Sequence, residues 1–368
     1  MRNFTGWVVV CLSIMSAWVW GEGTGKVPVI HCTDLYHPHD DPDDHFDLAT
    51  ISAIPELEVK AVILDQGGKQ KGNPGEIPVR QMNKITGREV PWAIGLSRNL
   101  KTPGDQVLED AAEFQKGVEL ILKTLRESPT PVVIDCIGSM RDVAAAFNRE
   151  PALFRSKVAK LMIFIGEASE QHQDYREWNV RLDPQAYVAI MRSGLPIYWV
   201  PCMDGGDLKN EGGASFWVAR HADLLKGCSP RLMQYFIYAL EVNRQAPLAL
   251  GEPIEFLDRP IDPAREQRVL AGSRNLWCTA VFTALADQAI VREGERWVYR
   301  PMKELGGEKP IFGFRPVNVE VSDTAAIKYG AGHRIMRFEV YDRKNYAEAM
   351  TAVTRELLLK LGRSGAAD

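Results

Sequence analysis

The sequence has no excess of positive charge. Its 368 residues include 44 Lys and Arg against 48 Asp and Glu, which gives a formal net charge of -4, and no basic stripe runs along the chain. Proteins that follow a phosphate backbone present such a stripe. We therefore predict no nucleic-acid partner.

Cysteines are few and scattered. Cys11 lies in an N-terminal apolar segment, and the other five are widely spaced. An odd, scattered set does not form a disulfide framework. Cys32, Cys136 and Cys202 each lie near the end of an apolar run, where the role of a small buried side chain is expected.

Long apolar runs are also missing, except at the N-terminus. Met1-Arg2-Asn3 is a positive start, residues 7–20 are almost continuously apolar, and Gly21 follows. This pattern predicts a signal peptide over residues 1–21 and a mature domain over 22–368 that is secreted or periplasmic and not stably bound to a membrane. The alternative is an uncleaved anchor, although a run of about fourteen residues is short for a span.

No repeat, low-complexity tract or linker divides the remaining chain, which favours a single domain. Short apolar runs alternate with amphipathic stretches, as in a parallel sheet with helices on both faces. The predicted strands are 27–32, 59–64, 90–94, 132–137, 161–165 and 197–200. The predicted helices between them are 46–54, 78–86, 111–125, 141–148 and 184–193. The fold class is therefore α/β, with an open, mostly parallel sheet.

The pattern loosens beyond Asp207. We predict helices over 215–225, 230–242, 276–286 and 346–361, and strands over 297–299 and 335–340. Proline-rich turns around residues 247, 253 and 260 are expected to connect them at the surface.

The densest group of reactive side chains is in residues 33–47, directly after the first predicted strand. Six carboxylates and three imidazoles occur within these fifteen residues. So many anions repel one another unless the loop is solvated or a cation neutralises it, so the segment is either an acidic surface loop or a metal site. Other strand ends bring Asp65, Gly138, Glu167 and Asp204 to the same edge of the sheet, where open α/β sheets bind ligands.

Three segments together resemble the nucleoside hydrolase family, the inosine-uridine-preferring N-ribohydrolases. They are Asp34 with the pair Asp43-Asp44 before a helix, the glycine-containing turn at 135–142, and Glu177-x-Asn179 ahead of Asp183-Pro184. The match runs in order through most of the mature chain and weakens beyond Asp207. It implies a single Rossmann-like α/β domain.

The resemblance also implies a site at the sheet edge. Asp34, Asp44 and the backbone carbonyl of about Ile137 would hold Ca²⁺, which prefers hard oxygen donors, although another divalent cation is possible. The implied substrate ligands are Asp43, Glu177 and Asn179. Water activated by Asp34 and the bound cation would then attack the anomeric carbon through an oxocarbenium-like transition state.

The sequence departs from the family late in the chain. The family has a His-Asp-Pro segment there, which supplies a further metal ligand and, in one subgroup, the acid for the leaving base. This chain has Trp277-Cys278-Thr279 instead. The family's Asn after the second strand is also missing, and Asp65 or Gln66 is the predicted substitute.

A second departure is an insertion over residues 37–42. Its Asp40 or Asp41 is a candidate for the missing metal ligand. Its His37 or His39 is a candidate for the missing acid, or for a ligand of a softer cation such as Zn²⁺ or Mn²⁺.

Several of these residues also have structural interpretations. Glu177 and Asn179 either bind sugar or cap a helix. Trp178 and Trp277 are either walls of a pocket or platforms that stack on a base, and Arg181 either meets an anionic substrate or pairs with Asp183.

The sequence therefore predicts a secreted, metal-dependent hydrolase that cleaves the N-glycosidic bond of a nucleoside or related riboside. The alternative is a degenerate relative that binds a sugar or nucleoside without turnover. A phosphoesterase built on the histidine-rich insertion is disfavoured because no second histidine cluster follows. A homo-oligomer is expected by analogy of fold alone.

Overall fold

A computed structural model describes residues 25–173, 176–243 and 248–362. The predicted signal peptide lies outside the described residues. None of the helices within these ranges is long and apolar enough to cross a bilayer.

Strands and helices alternate through the first half of the described chain. The strands are β1 (Val27–Thr33), β2 (Leu57–Leu64), β3 (Trp92–Ile94), β4 (Val132–Ile137), β5 (Val158–Phe164), β6 (Ile197–Val200), β7 (Trp217–Arg220), β8 (Ser273–Leu276), β9 (Gln288–Glu293), β10 (Arg296–Pro301), β11 (Phe312–Val321), β12 (Ile327–Tyr329) and β13 (His333–Val340).

The α-helices are α1 (Asp43–Ala53), α2 (Glu76–Thr86), α3 (Ala112–Glu127), α4 (Arg141–Arg149), α5 (Pro151–Lys157), α6 (Trp178–Leu182), α7 (Pro184–Met191), α8 (His221–Leu225), α9 (Pro230–Glu241), α10 (Pro253–Phe256), α11 (Pro263–Leu270) and α12 (Tyr346–Lys360). Short 3₁₀ turns form at Glu170–His172, Thr279–Ala286 and Met302–Glu304.

The predicted α/β fold is confirmed. The described residues form a sheet of nine strands in the order β12-β11-β13-β6-β5-β4-β1-β2-β3. Neighbouring strands from β3 to β13 pair in parallel, and within this sheet only β11 runs in the opposite direction. The carboxyl ends of β1, β4 and β5 therefore lie side by side.

Helices cover both faces of the sheet. Because side chains alternate along a strand, Val29 of β1 packs with α1, α2, α9 and α12, whereas Ile30 packs with α3, α4 and α7 on the other face. The strand that carries Asp34 at its end is buried along its whole length. As predicted, Cys32, Cys136 and Cys202 are buried, and all five cysteines of the described chain are free thiols.

Two helix predictions beyond Asp207 were wrong in part. Residues 215–225 form strand β7 before the short helix α8, because burial alternates at Trp217, Val218, Ala219 and Arg220 as the strand pairs with β8. The helix predicted over 276–286 is a 3₁₀ helix that begins at Thr279, since Leu276 ends β8. Strands β8, β9, β11 and β12 and helices α10 and α11 were not predicted.

The turn after β4 requires its glycine. Gly138 has φ +104°, and a Cβ there would lie 2.8 Å from the Cβ of Asp34 and 2.9 Å from Oδ2 of Asp65. A side chain would therefore be strained in its backbone and would collide with both carboxylates. Glycine lets the β4 turn approach the end of β1 closely.

Arg141 locks this turn to the segment before α7. Its side chain is 2% exposed and donates to Asp183, to Asn99 and to the carbonyls of Gln66 and Leu96. Asp183 also caps α7 by accepting from the N–H of Ala186. The ion pair therefore ties the site's loops together beneath the surface.

We predict that Arg141→Met lowers the free energy of unfolding by about 3–5 kcal/mol, because it leaves the carboxylate of Asp183 buried without its counter-charge. The matched control is Arg220→Met, whose pair with Asp223 is solvent-exposed and is worth at most about 1 kcal/mol. Urea denaturation measures both variants. Equal losses would show that burial of the Arg141 pair has no special weight.

Candidate active site

A cleft of about 240 Å³ opens at the carboxyl edge of the sheet. Eight of the predicted site residues line it: Asp34, Asp40, Asp41, Asp43, Asp44, Ile137, Glu177 and Asn179. Segments separated by more than a hundred residues in sequence therefore meet at one place. Asp65 is the predicted site residue that does not line the cleft.

The carboxylates at the base of the cleft come from β1 and α1. Asp34 is the first residue after β1, and Asp43 and Asp44 form the first turn of α1. The unpaired N–H groups and dipole of a helix N-terminus favour negative charge there. This placement offsets part of the repulsion among the three carboxylates.

That repulsion remains strong. Burial, reinforced by neighbouring carboxylates, raises the pKa of Asp34 to about 7 and raises the pKa values of Asp43 and Asp44 well above the ordinary value. Within the described ranges, the carboxylates of Asp43 and Asp44 form no hydrogen bond or ion pair. The cleft therefore gathers carboxyl groups whose negative charge, when they are ionised, is not balanced by its own side chains.

The types of donor in the cleft suit a hard divalent cation. Asp34, Asp43, Asp44 and Ile137 line the same cleft, and carboxylate and carbonyl oxygens are the ligands that Ca²⁺ takes. As placed, however, no group of three His, Cys, Asp or Glu side chains in the described ranges is close enough to hold a metal ion, so binding would require these side chains to draw together. A dication would relieve the repulsion that raises the pKa values of these carboxyl groups.

Asp47 is a further acidic residue of the site to which the sequence assigned no role. It lies on α1 near Asp43 and Asp44, is 1% exposed, and accepts a hydrogen bond of 2.8 Å from the N–H of Thr279. Burial raises its pKa to about 7. The signal in the sequence was its spacing of three and four residues from the other two, which puts all three on one side of the helix.

The two carboxylates of the insertion lie at the rim of the cleft, and each is paired with a cation. Asp40 binds Lys69 at 2.9 Å, and Asp41 binds Arg274 at 2.7 Å. Asp40 also accepts from the hydroxyl of Tyr36. Both differ in this respect from the unpaired carboxylates at the base.

Glu177 has the predicted capping role, and both Glu177 and Asn179 line the cleft. Glu177 caps α6 by accepting from the N–H groups of Asn179 and Val180, and it also faces the cleft. Asn179 donates from Nδ2 to the carbonyl of Phe164 at 3.1 Å, which leaves its Oδ1 without a partner among the described residues. These hydrogen bonds fix both side chains at the wall of the cleft.

Asp65 instead supports the turn behind the cleft. Its Oδ2 accepts from the N–H of Ser139 at 2.7 Å, and its Oδ1 is buried without a partner in the described chain. Gln66, the other predicted substitute, is also buried, and its carbonyl accepts from Arg141. Both residues therefore lie behind the side chains that line the cleft and do not line it themselves.

Trp277 and Cys278 line the cleft where the sequence departs from the family pattern. The Nε1–H of Trp277 donates to the carbonyl of Cys202 at 3.0 Å. Burial raises the pKa of the Cys278 thiol well above its ordinary value, so this side chain is neutral. Neither residue supplies a carboxylate or a free proton donor.

Trp178 forms the outer wall of the cleft. It is 41% exposed, and Lys69 and Arg181 each lie 5.3 Å from its ring centroid. An exposed aromatic face beside a polar cleft is a surface on which a planar group can stack.

The three histidines of the acidic segment lie close together, His37 and His39 in the insertion and His45 on α1. Burial lowers the pKa of His37 to about 3 and of His39 to about 4, and it lowers the pKa of His45 well below its ordinary value. All three imidazoles are therefore neutral at neutral pH.

Residues 36–240, more than half of the chain, match the family model described as inosine-uridine preferring nucleoside hydrolase. Among curated proteins, the pyrimidine-specific ribonucleoside hydrolase RihA of Citrobacter koseri is 28% identical over 190 residues, which are 46% of this chain and 58% of that protein. RihA of Escherichia coli O1:K1 is 30% identical over 172 residues, or 42% and 55% of the two chains. The chain thus spans under three fifths of these relatives.

Solved structures show the same fold over a longer range. A plant nucleoside hydrolase superposes with a TM-score of 0.56 at 16% identity, over 90% of this chain and 99% of that one. A purine-preferring ribonucleoside hydrolase from Gardnerella vaginalis gives a TM-score of 0.51 at 14% identity over the same shares.

We predict that Asp44→Asn makes the metal-free protein more stable at neutral pH. Because the folded pKa of Asp44 is raised, the folded state holds a proton that the unfolded chain releases, so its contribution to stability falls as pH rises above the ordinary carboxyl pKa. The gain should shrink as pH falls toward about 4. Thermal unfolding after metal removal measures this difference.

Calcium should stabilise the wild type much more than the Asp44→Asn variant. At one hundred times its Kd it should stabilise the wild type by about 2.7 kcal/mol and the Asp44→Asn variant far less. Asp40→Asn is the control within the same cleft, since that carboxylate is already paired with Lys69, and it should keep the calcium response. A variant without gain at neutral pH, or one with an unchanged calcium response, would contradict the assignment.

Proposed function

The chain belongs to the inosine-uridine preferring nucleoside hydrolase family, and on this basis we propose that it hydrolyses the N-glycosidic bond of a nucleoside or related riboside. The observation that carries the proposal is the convergence of Asp34, Asp43 and Asp44 with Glu177 and Asn179 around one cleft. The nucleoside-hydrolysing activities named for the curated relatives agree with this substrate class.

We further propose that Asp34, Asp44 and the carbonyl of Ile137 hold a calcium ion. When bound, this ion supplies Lewis-acid polarisation and an anchor for sugar hydroxyls. The chemistry of the donors supports the choice, because all are oxygens and the unbalanced negative charge needs a counter-ion. Asp40 and Asp41 are left out of the ligand set, since Lys69 and Arg274 already neutralise them.

In this proposal Asp34 is the general base. Its carboxylate accepts a proton from the attacking water. A bound dication would lower the raised pKa of Asp34 and so keep this carboxylate ionised at neutral pH. Gln70 steadies the group, because its Nε2 donates to the Asp34 carbonyl at 2.7 Å and lies 3.5 Å from Oδ2.

The remaining polar groups would hold the sugar. Asp43 and Glu177 accept hydrogen bonds from hydroxyls, and Asn179 has a free Oδ1. These groups are fixed before substrate arrives, so little reorganisation is needed when positive charge develops on the sugar ring. The fixed negative charge of the cleft favours that charge in the transition state.

The N-terminal segment supports a further proposal, that the protein is exported. It carries the positive start and apolar run of a signal peptide. A homogeneous mature N-terminus near residue 22 in protein recovered from outside the cytoplasm is the result that this proposal requires.

A second candidate function is binding without turnover. It is favoured by Trp277, whose Nε1–H is engaged by the Cys202 carbonyl, and by the neutral Cys278. The cleft therefore has no side-chain acid at this position to protonate a departing base. Hydrolysis would then depend on stabilisation of the sugar cation and on protonation of the base from solvent.

We predict that incubation with a panel of ribonucleosides releases free ribose, and that Asp34→Asn lowers kcat by about 10³-fold, the usual scale for loss of a general base. The control is Asp223→Asn, a surface residue paired with Arg220. Ribose release and nucleoside binding are measured on the same samples. Saturable binding by the wild type with no ribose release would establish the second function.

We also predict that Trp178→Ala raises KM by about tenfold, because an aromatic partner contributes on the order of 1–3 kcal/mol per stacked base. The value of kcat should change little, since in this proposal Trp178 supplies no group to the attacking water or to the charge that develops on the sugar ring. Trp178→Phe should restore most of the affinity. A drop in kcat without any change in KM would show that Trp178 is not a stacking surface.

A further inference from the structure

The histidine cluster, His37, His39 and His45, lies beside the cleft and does not line it. The three residues are 5%, 3% and 1% exposed. Their ring centroids are separated by 6.3 Å (His37 to His39), 5.9 Å (His37 to His45) and 5.0 Å (His39 to His45). Three imidazoles are thus enclosed together in the interior, away from bulk water.

Most ring nitrogens of the cluster have no partner in the described chain. Both nitrogens of His37, both of His45, and Nδ1 of His39 are buried and unbonded. A neutral imidazole has one N–H to donate, and leaving it buried without an acceptor costs as much as a lost hydrogen bond. His37 and His45 bear this cost in full.

Two other buried histidines show the ordinary solution. His31 is bonded through Nδ1 to Asp135 at 2.6 Å, and His221 through Nδ1 to the carbonyl of Val269 at 2.8 Å. Each therefore satisfies one ring nitrogen with a protein partner. The cluster differs because three rings face one another in place of such partners.

The walls around the cluster are aromatic. His37 stacks on Tyr238 with centroids 5.2 Å apart, and His45 lies 5.9 Å from Tyr235. The Tyr235 hydroxyl donates to the His45 carbonyl and not to an imidazole. The surroundings therefore exclude water without satisfying the ring nitrogens.

We propose that the histidine cluster binds one transition-metal dication of the zinc class, at a site separate from the carboxylates of the cleft. Three imidazoles on a tetrahedral ion with Zn–N bonds of about 2.0–2.1 Å have centroids about 5 Å apart. The observed 5.0–6.3 Å is close to this spacing. As placed, no group of three His, Cys, Asp or Glu side chains in the described ranges can hold a metal, so binding requires the rings to rotate and His37 to move inward.

The hydrogen bond of His39 suits a metal ligand. Its Nε2 contacts the carbonyl of Ala239 on α9, and its Nδ1 has no partner in the described chain and is available to a metal ion. Ligating histidines commonly donate their second ring N–H to a backbone carbonyl, which fixes the tautomer and the ring orientation. The nearby cation Arg274 is held by Asp41 at 2.7 Å.

Donor type separates this site from the calcium site. Imidazole nitrogen suits zinc and related ions, whereas calcium takes oxygen ligands. The ion would join His37 and His39 of the insertion to His45 of α1. It would therefore fix the insertion that carries Asp40 and Asp41 along the rim of the cleft.

The experiment measures Zn²⁺ and Co²⁺ binding to the purified full chain in a large excess of Ca²⁺. One equivalent of either metal should bind, and the visible spectrum of bound Co²⁺ should be that of a four- or five-coordinate ion with nitrogen ligands. His37→Gln and His39→Gln should each weaken binding by more than about 100-fold, since loss of a partner outside the ligand shell already costs 10–100-fold.

The matched controls are His221→Gln, another buried histidine, and Asp44→Asn, which removes a calcium ligand. Both should keep the Zn²⁺ stoichiometry and the Co²⁺ spectrum. If a His variant fails to fold, the wild-type Co²⁺ spectrum still decides. Absence of stoichiometric binding, a six-coordinate oxygen-type spectrum, or loss of binding in Asp44→Asn would each overturn the proposal. These readouts do not depend on turnover, so failure of the hydrolase proposal is seen separately.

Discussion

Repulsion among buried carboxylates is the constraint on which the rest of the site depends. Asp34, Asp43 and Asp44 share one cleft, and their pKa values are raised by burial and by one another. The fold brings them together because β1 ends at the sheet edge and α1 begins there with its N-terminus. The helix dipole lessens the repulsion but does not cancel it, so the arrangement is suited to binding a cation and a polar ligand.

The loops around these carboxylates are held by groups that do not touch the ligand space. Arg141 and Asp183 join the β4 turn to the start of α7, and Asp65 holds the N–H of Ser139 within the same turn. Because Gly138 has no side chain, this turn can approach the end of β1 closely; a Cβ at Gly138 would lie only 2.8 Å from the Cβ of Asp34. The carboxylates are thus kept in place by a frame that rests on the buried Arg141–Asp183 ion pair and on a hydrogen bond to the backbone.

Much of this could be predicted from the sequence. Strands β1 to β5 are marked by apolar runs that are closely followed by Gly or Asp. The structure brings five of the predicted site residues to one cleft at the edge of the sheet: Asp34, Asp43, Asp44, Glu177 and Asn179. The strands and helices beyond Asp207 were harder to predict, for physical reasons. Strand β11 contains Pro316, which is tolerated because β12 pairs with Val319–Val321 alone and leaves that part of β11 without a neighbour on one side. Asp65 was predicted to bind substrate but does not line the cleft, because its side chain is turned to accept a hydrogen bond from the N–H of Ser139. The sequence does not show which N–H group a loop carboxylate will bind.

The family's His-Asp pair combines two functions, a metal ligand and an acid for the leaving base, and this chain has Trp277-Cys278 in its place. Cys278 takes the place of a carboxylate in the family pattern. Asp47 of α1 supplies a carboxylate close to this position, because it accepts a hydrogen bond from the N–H of Thr279. Negative charge beside the 277–279 loop is therefore supplied from the helix instead of the loop. No comparable replacement exists within the described cleft for the imidazole acid, because Trp277 is bonded to the Cys202 carbonyl and the cluster histidines do not line the cleft. In the proposed site the groups for cation and sugar binding are thus all present, whereas departure of the base would rely on stabilisation of the sugar cation, and this is the step on which turnover and simple binding diverge.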